Sequence, residues 1–262
     1  MNIKPCLKYQ VKEHMKAIGI YWMVAVIGTL VLAAMFGLFL NEGVSDTENI
    51  SVNGFDFSIC IVLLVMGLVT FYSNFGMMLQ FGATRKALFL SRVLTTLIIC
   101  AIVVLLNRIF QFALTFVLLK ALRIPDTVMF GNILDASFRE MYYQGMESTP
   151  VIFMQSLLWE YGIYLMIMAI SNFCSVLFYR LNVAGRIAVG AGAPVLFLIV
   201  LPAIDIKFLG GRITDAAIKA FLQAFGFMPV NAAASITAFI VTFALFSACS
   251  WLLMRRLSLK KK

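Results

Sequence analysis

The chain has 262 residues, of which 62% are apolar or aromatic and only 13% are charged. A soluble domain carries about 25% charged residues, and it cannot hide this much apolar surface, so lipid is the expected solvent. The same composition, with a mean hydropathy of +0.97, excludes a disordered chain and a disulfide-built secreted scaffold.

The first expected element is a basic lead over residues 1–16. Lys4, Lys8, Lys12 and Lys16 recur every fourth residue beside an arc of Ile3, Leu7, Val11 and Met15. That spacing predicts an amphipathic helix lying along the membrane interface, with Pro5 in its first turn. Six apolar runs follow, at 17–40, 57–79, 94–119, 151–178, 187–204 and 230–254. A bilayer needs about 20 residues per crossing helix, so each run is read as a span. The first is an uncleaved signal anchor, being longer than a signal peptide. The fifth carries Pro194 and Pro202 and is expected to be kinked or broken. Between the fifth and sixth runs, Ile213, Ala216, Ala217, Ala220, Phe221, Ala224 and Phe225 share one helical face. This helix in the 205–229 segment is too short to span, so it is expected to be interfacial, re-entrant or packed on the outer end of the bundle. The expected fold is an all-α membrane protein with six transmembrane helices in a single domain over 1–262, ending in a basic tail at 255–262.

Lysine and arginine set the orientation. They gather in the lead, in the second connection (Arg85, Lys86, Arg92), in the fourth connection (Arg180, Arg186) and in the tail, where Glu13 is the lone acid among them. The remaining connections hold the other acids, apart from Glu160. Both termini are therefore expected in the cytoplasm. This pattern also accounts for the net charge of +9, as anionic-lipid contact and not as a nucleic-acid footprint.

Chemistry-bearing sets are sparse. His14 is the single histidine, and Cys6, Cys60, Cys100, Cys174 and Cys249 form no CxxC pair; they read as small apolar helix residues. No catalytic, cofactor-binding or metal-ligating set is expected. No GxxxxGK followed by Ser or Thr occurs, so no phosphate loop of that kind is available.

Two features inside the spans stand out. Arg108 and Glu160 are the only charges there. Counting at 1.5 Å per residue puts them roughly 17 and 14 Å below the outer ends of runs three and four. A lone charge at that depth costs at least about 2.5–3.5 kcal/mol, and both have polar company, Asn107, Gln111 and Thr115 on one run and Ser156 and Tyr164 on the other. They are expected to pair. The second feature is a small-residue cluster with Gly185, Gly190 and Gly192, a candidate close-packing helix contact within the chain or between two copies.

Residues 74–89 carry a more specific pattern, Asn-Phe-Gly-Met-Met-Leu-Gln-Phe-Gly-Ala-Thr-Arg-Lys-Ala-Leu-Phe. With six spans, cytoplasmic termini, a basic lead and an enlarged fifth–sixth connection, it resembles a type-2 ABC exporter permease of the small stand-alone bacterial kind. In that family a short cytoplasmic helix between spans two and three touches the ATPase. The resemblance implies that Gln80, Phe81, Gly82, Ala83, Thr84, Arg85, Lys86 and Phe89 form this coupling helix. Independently, Gly82 suits a tight turn, and Thr84 can cap a helix that begins at Arg85. The resemblance further implies a bacterial cell-membrane subunit that pairs with a second permease chain and a separate ABC ATP-binding subunit. ATP and Mg would sit on that subunit and not on this chain, and the cargo would be a peptide, drug or other amphiphile. A gradient-driven secondary transporter and a non-transporting scaffold or sensor component are the alternatives.

Overall fold

The computed structural model describes residues 3–40, 50–121, 128–144, 149–228 and 230–255. Of the tail expected at 255–262, Arg255 is the last residue of the final helix and the rest lies outside the described residues.

Helix α1, Lys4–Leu40, runs without a break, which corrects the expectation of a separate interfacial lead. No glycine or proline lies between Pro5 and Gly19, and each residue added to an existing helix gains a hydrogen bond without a new nucleation cost. Lys4, Lys8, Lys12 and Lys16 are all exposed on it. Its inward face at this end is polar, with Gln10 and His14 buried.

Helix α2, Phe55–Gln80, and α3, Arg85–Ala121, form an antiparallel pair. The third run thus begins at Arg85, well before residue 94. A short parallel strand pair, β1 Ile50–Asn53 with β2 Val128–Gly131, ties the connections at the far end and is an addition to the all-α expectation. Next comes α4, Ile133–Tyr143, started by Asn132, whose Oδ1 accepts from Asp135 N–H at 2.9 Å. Helix α5, Pro150–Arg180, opens with Thr149 as its cap and Pro150 in its first turn.

Helix α5 is the pillar of the bundle, packed by α2, α3, α4 and α10 (Ala232–Arg255). Ile59, Leu63, Ile99, Val103 and Met168 build the middle of the core. Phe71, Phe75, Tyr179 and Met254 fill the end near the N-terminus, and Phe138, Trp159 and Phe239 fill the opposite end.

Among the described residues, five helices are long and apolar enough to cross a membrane: α1, α2, α3, α5 and α10. The fifth expected run is helical but not one regular helix. It consists of α6 (Val183–Ile187), a π stretch at 188–192, α7 (Ala193–Val195), a second π stretch at 196–200, and α8 (Leu201–Leu209). Pro194 and Pro202 explain the pattern. Each lacks an N–H and crowds the carbonyl four residues back. Those carbonyls, on Gly190 and Leu198, fall inside the two π stretches, where the backbone widens to an i to i+5 pattern.

The small-residue cluster makes no close interhelical approach to the bundle. A side chain at Gly192 would meet nothing, and one at Gly190 would only graze the Phe178 ring at 3.5 Å. At Gly185 the nearest groups are its own neighbours Asn182 and Leu181. The tight helix crossing is elsewhere, at Gly67 of α2 against Ser171 of α5.

Helix α9, Arg212–Ala224, bears out a helix in the 205–229 segment, and its flank with Ile213, Ile218 and Phe221 is exposed. Gly210 and Gly211, both left-handed (φ 65° and 81°), make the joint before it. Asp205 secures that joint. Its carboxylate accepts from the Thr214 hydroxyl and Thr214 N–H, both at 2.7 Å, and from Ile213 N–H at 3.3 Å. These donors, the Thr214 hydroxyl foremost, hold the Asp205 carboxyl below the ordinary carboxylate range. A depressed value stabilises the joint fully above the unfolded carboxylate range, and the contribution is lost as pH falls through the folded value. Asp205→Ala is therefore expected to release amide-exchange protection at Ile213 and Thr214 at neutral pH. Acidification should do the same in the wild type. Unchanged protection in the variant would remove Asp205 as the clasp.

Candidate functional site

A buried layer of charge lies at the end of the bundle remote from the N-terminus. It is assembled by helical spacing. On α5, Ser156, Glu160 and Tyr164 stand one turn apart on one face, and all are buried. On α3, Asn107 and Gln111 share a face with Arg108 beside them. On α2, Asp56 sits in the first turn. On α4, Asn132 caps the helix while Asp135 and Arg139 pair at i, i+4 with 2.9 Å between them.

Arg108 is the junction. Its Nη1 lies 3.1 Å from Asp135 Oδ1, and its Nη2 lies 3.0 Å from Glu160 Oε2. The same Nη2 donates to Ser156 Oγ at 2.6 Å, and the Ser156 hydroxyl in turn bonds Asp135. Glu160 gathers more donors: Tyr164 Oη at 2.9 Å, Asn107 Nδ2 at 2.7 Å and Asn132 Nδ2 at 3.4 Å. Asn107 Nδ2 also donates to Asp56 Oδ1 at 2.5 Å, and Gln111 Nε2 reaches the same oxygen at 3.5 Å. Three carboxylates, two guanidiniums and three carboxamides thus share one water-poor layer, where charge interactions are strong and an unpaired group is costly.

The structure brings Arg108 and Glu160 together, with Asn107, Ser156 and Tyr164 in attendance; nothing is described of the Thr115 side chain. Their surroundings differ from the sequence expectation. The layer is the meeting plane of α2's first turn with α3 and α5, roofed by α4, and it is larger than the expected pair with its one-turn polar neighbours. Asp56, Asn132, Asp135 and Arg139 belong to it and were not anticipated. Two signals pointed to them: the Asn132-x-x-Asp135 helix start and the Asp135–Arg139 spacing.

At the opposite, basic end the 80–89 segment is a turn and not a helix of its own. Gln80 closes α2; Phe81 to Thr84 turn the chain, with Gly82 at φ 79°. Thr84 Oγ1 accepts from Ala87 N–H at 3.3 Å, capping α3, which then continues unbroken from Arg85. The separate coupling helix that the resemblance implied is thus not formed, because no breaker after Arg85 divides a short helix from the span. Phe81 is 83% exposed. It borders a cleft of about 460 Å³ between this turn and the start of α1, lined by Pro5, Cys6, Tyr9, Met77 and Ala87 among others. Arg85 Nη1 donates to the Arg255 carbonyl at 2.9 Å, joining the turn to the end of α10. Lys86 is exposed, and the Phe89 ring packs 5.1 Å from Trp251.

About 10 Å farther along α3 from Arg85, Arg92 bridges helices. Its Nε donates to Asn172 Oδ1 at 2.8 Å, its Nη2 to the Gly67 carbonyl at 2.7 Å, and its guanidinium covers the Phe71 ring at 4.7 Å. Gln10, His14, Thr70 and Asn74 line a cavity of about 20 Å³ beside it, room for one water.

All five cysteines are free. No family model matches this chain, and no curated protein or solved structure matches it significantly.

Proposed function

We propose that this chain is the membrane-spanning subunit of an ATP-driven exporter whose ATPase is a separate polypeptide. In this reading both termini and the 81–84 turn face the cytoplasm. The 183–204 part of the proline-widened rod, roughly 33 Å long at 1.5 Å per residue, makes the sixth crossing. The observation that carries it is the basic-end turn. Phe81 stands out beside an apolar cleft, flanked by exposed Arg85 and Lys86, on a turn tied to both α3 and the end of α10. An aromatic anchor, a pocket next to it and a basic rim are the parts of a protein-docking surface. A load applied there reaches α2, α3 and α10 at once. With no phosphate loop of the GxxxxGK type in the sequence, this reading leaves nucleotide chemistry to the partner, and an amphiphilic peptide or drug is the proposed cargo.

One observation favours a second reading, a gradient-driven transporter: the buried charge layer around Arg108 is richer than a structural pair needs. A single reconstitution separates the two. The chain alone in lipid vesicles is expected to hydrolyse no ATP. With its proposed ATP-binding partner subunit added, the complex should hydrolyse ATP and export an amphiphile. Phe81→Asp, or Arg85→Glu with Lys86→Glu, is expected to weaken ATPase binding at least tenfold while insertion is retained, since Arg92 and the lead lysines remain. Transport by the chain alone that collapses with an ionophore would overturn the first reading in favour of the second.

A further inference from the structure

Two buried oxygens in the charge layer accept no hydrogen bond. Asp56 is 1% exposed and Asn107 is 0% exposed, yet Asp56 Oδ2 and Asn107 Oδ1 have no hydrogen-bond partner. Both are acceptors, and the two side chains are already joined through Asn107 Nδ2 and Asp56 Oδ1 at 2.5 Å. A buried acceptor without a donor is expensive. Arg108 Nε and Arg139 Nε in the same layer also lack partners, but both belong to guanidiniums already paired with carboxylates, so the two neighbouring acceptors are the place left for a further cation.

The charge census points the same way. Asp56, Asp135 and Glu160 face only Arg108 and Arg139 among the described residues of the layer. Both guanidiniums are committed, Arg108 to Asp135 and Glu160, and Arg139 to Asp135. Asp56 has no cation. Asn107 Nδ2 stands between it and Glu160, at 2.5 and 2.7 Å, so the two carboxyl groups lie within about 5 Å of one another, where two bare anions repel strongly. The groups that face Asp56 are known from each neighbouring helix. They are Tyr21 of α1, bonded to Ser58; Cys60 one turn along α2; Asn107, Arg108 and Gln111 of α3; the Leu134 amide of α4; and Glu160, itself beside Asp135, and Tyr164 of α5. None supplies a positive charge that is not already paired. No group of three or more His, Cys, Asp or Glu side chains able to hold a metal ion occurs among the described residues.

We propose that Asp56 Oδ2 and Asn107 Oδ1 form a binding site for one small monovalent cation, a proton or a sodium ion, within the buried layer beneath α4. The site balances the layer's single excess negative charge. It is reached from the α4 side, where Arg139 is partly exposed, and it holds whichever energy source drives the chain.

The test uses the full chain in nanodiscs. The melting temperature is measured in sodium against choline at constant ionic strength. Separately, the infrared carbonyl band of a protonated carboxylic acid is recorded across pH. If sodium is the occupant, it raises the wild-type melting temperature and leaves Asp56→Asn unmoved. If a proton is the occupant, the acid band is present at neutral pH in the wild type, disappears in Asp56→Asn and persists in Asp135→Asn. In either case Asp56→Asn, which removes the excess charge while keeping the shape, is expected to melt within a few degrees of the occupied wild type. Should that variant fail to fold, the wild-type sodium and band measurements still decide. No sodium response together with no acid band in the wild type means an ionised, empty Asp56 and overturns the proposal. So does a sodium response or acid band that survives unchanged in Asp56→Asn.

Discussion

Replacing Arg108 with leucine is expected to destabilise the folded chain by about 3–5 kcal/mol, the usual consequence of removing one partner of a buried ion pair. The loss falls at the high end because two carboxylates are left behind. Glu160, fully buried, and Asp135, on a different helix, both lean on the same guanidinium at 3.0 and 3.1 Å. Arg108→Lys should lose less, since one ammonium can serve one carboxylate but cannot span both with a planar fork. Glu160→Gln should be milder still, because an amide keeps acceptor contacts with Asn107 and Tyr164 while Arg108 retains Asp135.

The charge swap, Arg108→Glu with Glu160→Arg, is expected to rescue almost nothing. The new glutamate would face Asp135. The new arginine would meet a ring of donors, Asn107 Nδ2, Asn132 Nδ2 and the Tyr164 hydroxyl, all arranged for an anion. Denaturant titration of the chain in mixed micelles checks the order. A neutral Arg108→Leu, or a swap that recovers most of the loss, would mean that the triad with Asp135 is not formed.

This arrangement shows what was legible in the sequence. The depth of Arg108 and Glu160 follows from helical rise alone, and their polar neighbours at one-turn spacing marked a shared face. Asp56 was hidden because a hydropathy run ends at the first acid, whereas a helix welcomes an acid in its first turn. Helix α4 was hidden for a related reason: it is short and polar, and it carries no apolar run to be counted. The turn at Gly82 and Thr84 was readable, since left-handed glycine and a threonine cap are local chemistry. The continuity of α1 and of α3 was not: the lysine spacing of the lead argued for a separate interfacial helix and the family pattern for a separate coupling helix, but no glycine or proline enforces either break. The cluster at Gly185, Gly190 and Gly192 misled for a different reason. Small residues permit close approach but do not say which helix faces them, and a proline-widened rod is a poor partner for a regular one.

The tightest glycine crossing between helices is at Gly67, and Gly67→Val is expected to be among the most damaging single changes in the bundle. A Cβ there would lie 2.5 Å from Ser171 Oγ and 2.8 Å from Ser171 Cβ, so α2 and α5 would have to separate. Three ties would go with the approach. The Ser171 hydroxyl donates to the Leu64 carbonyl, the Ser175 hydroxyl to the Leu68 carbonyl at 2.6 Å, and Arg92 Nη2 to the Gly67 carbonyl itself. Overpacking a core costs about 1–3 kcal/mol, and interhelical hydrogen bonds in membranes average about 0.6 kcal/mol each. A β-branched residue gains no helix propensity to offset the loss, so a total of about 3–5 kcal/mol is expected on those two scales. Gly67→Ala should be milder, because alanine recovers about 1 kcal/mol of helix propensity. The deciding measurement is a double-mutant cycle. Ser171→Gly removes both atoms that a Gly67→Ala methyl would strike, so the pair is expected to be more stable than the sum of the single losses by at least about 1 kcal/mol, the range of coupled neighbours. Strict additivity would mean that α2 and α5 do not meet at this point. The Arg92 bridge would then have to be holding two helices that pack somewhere else.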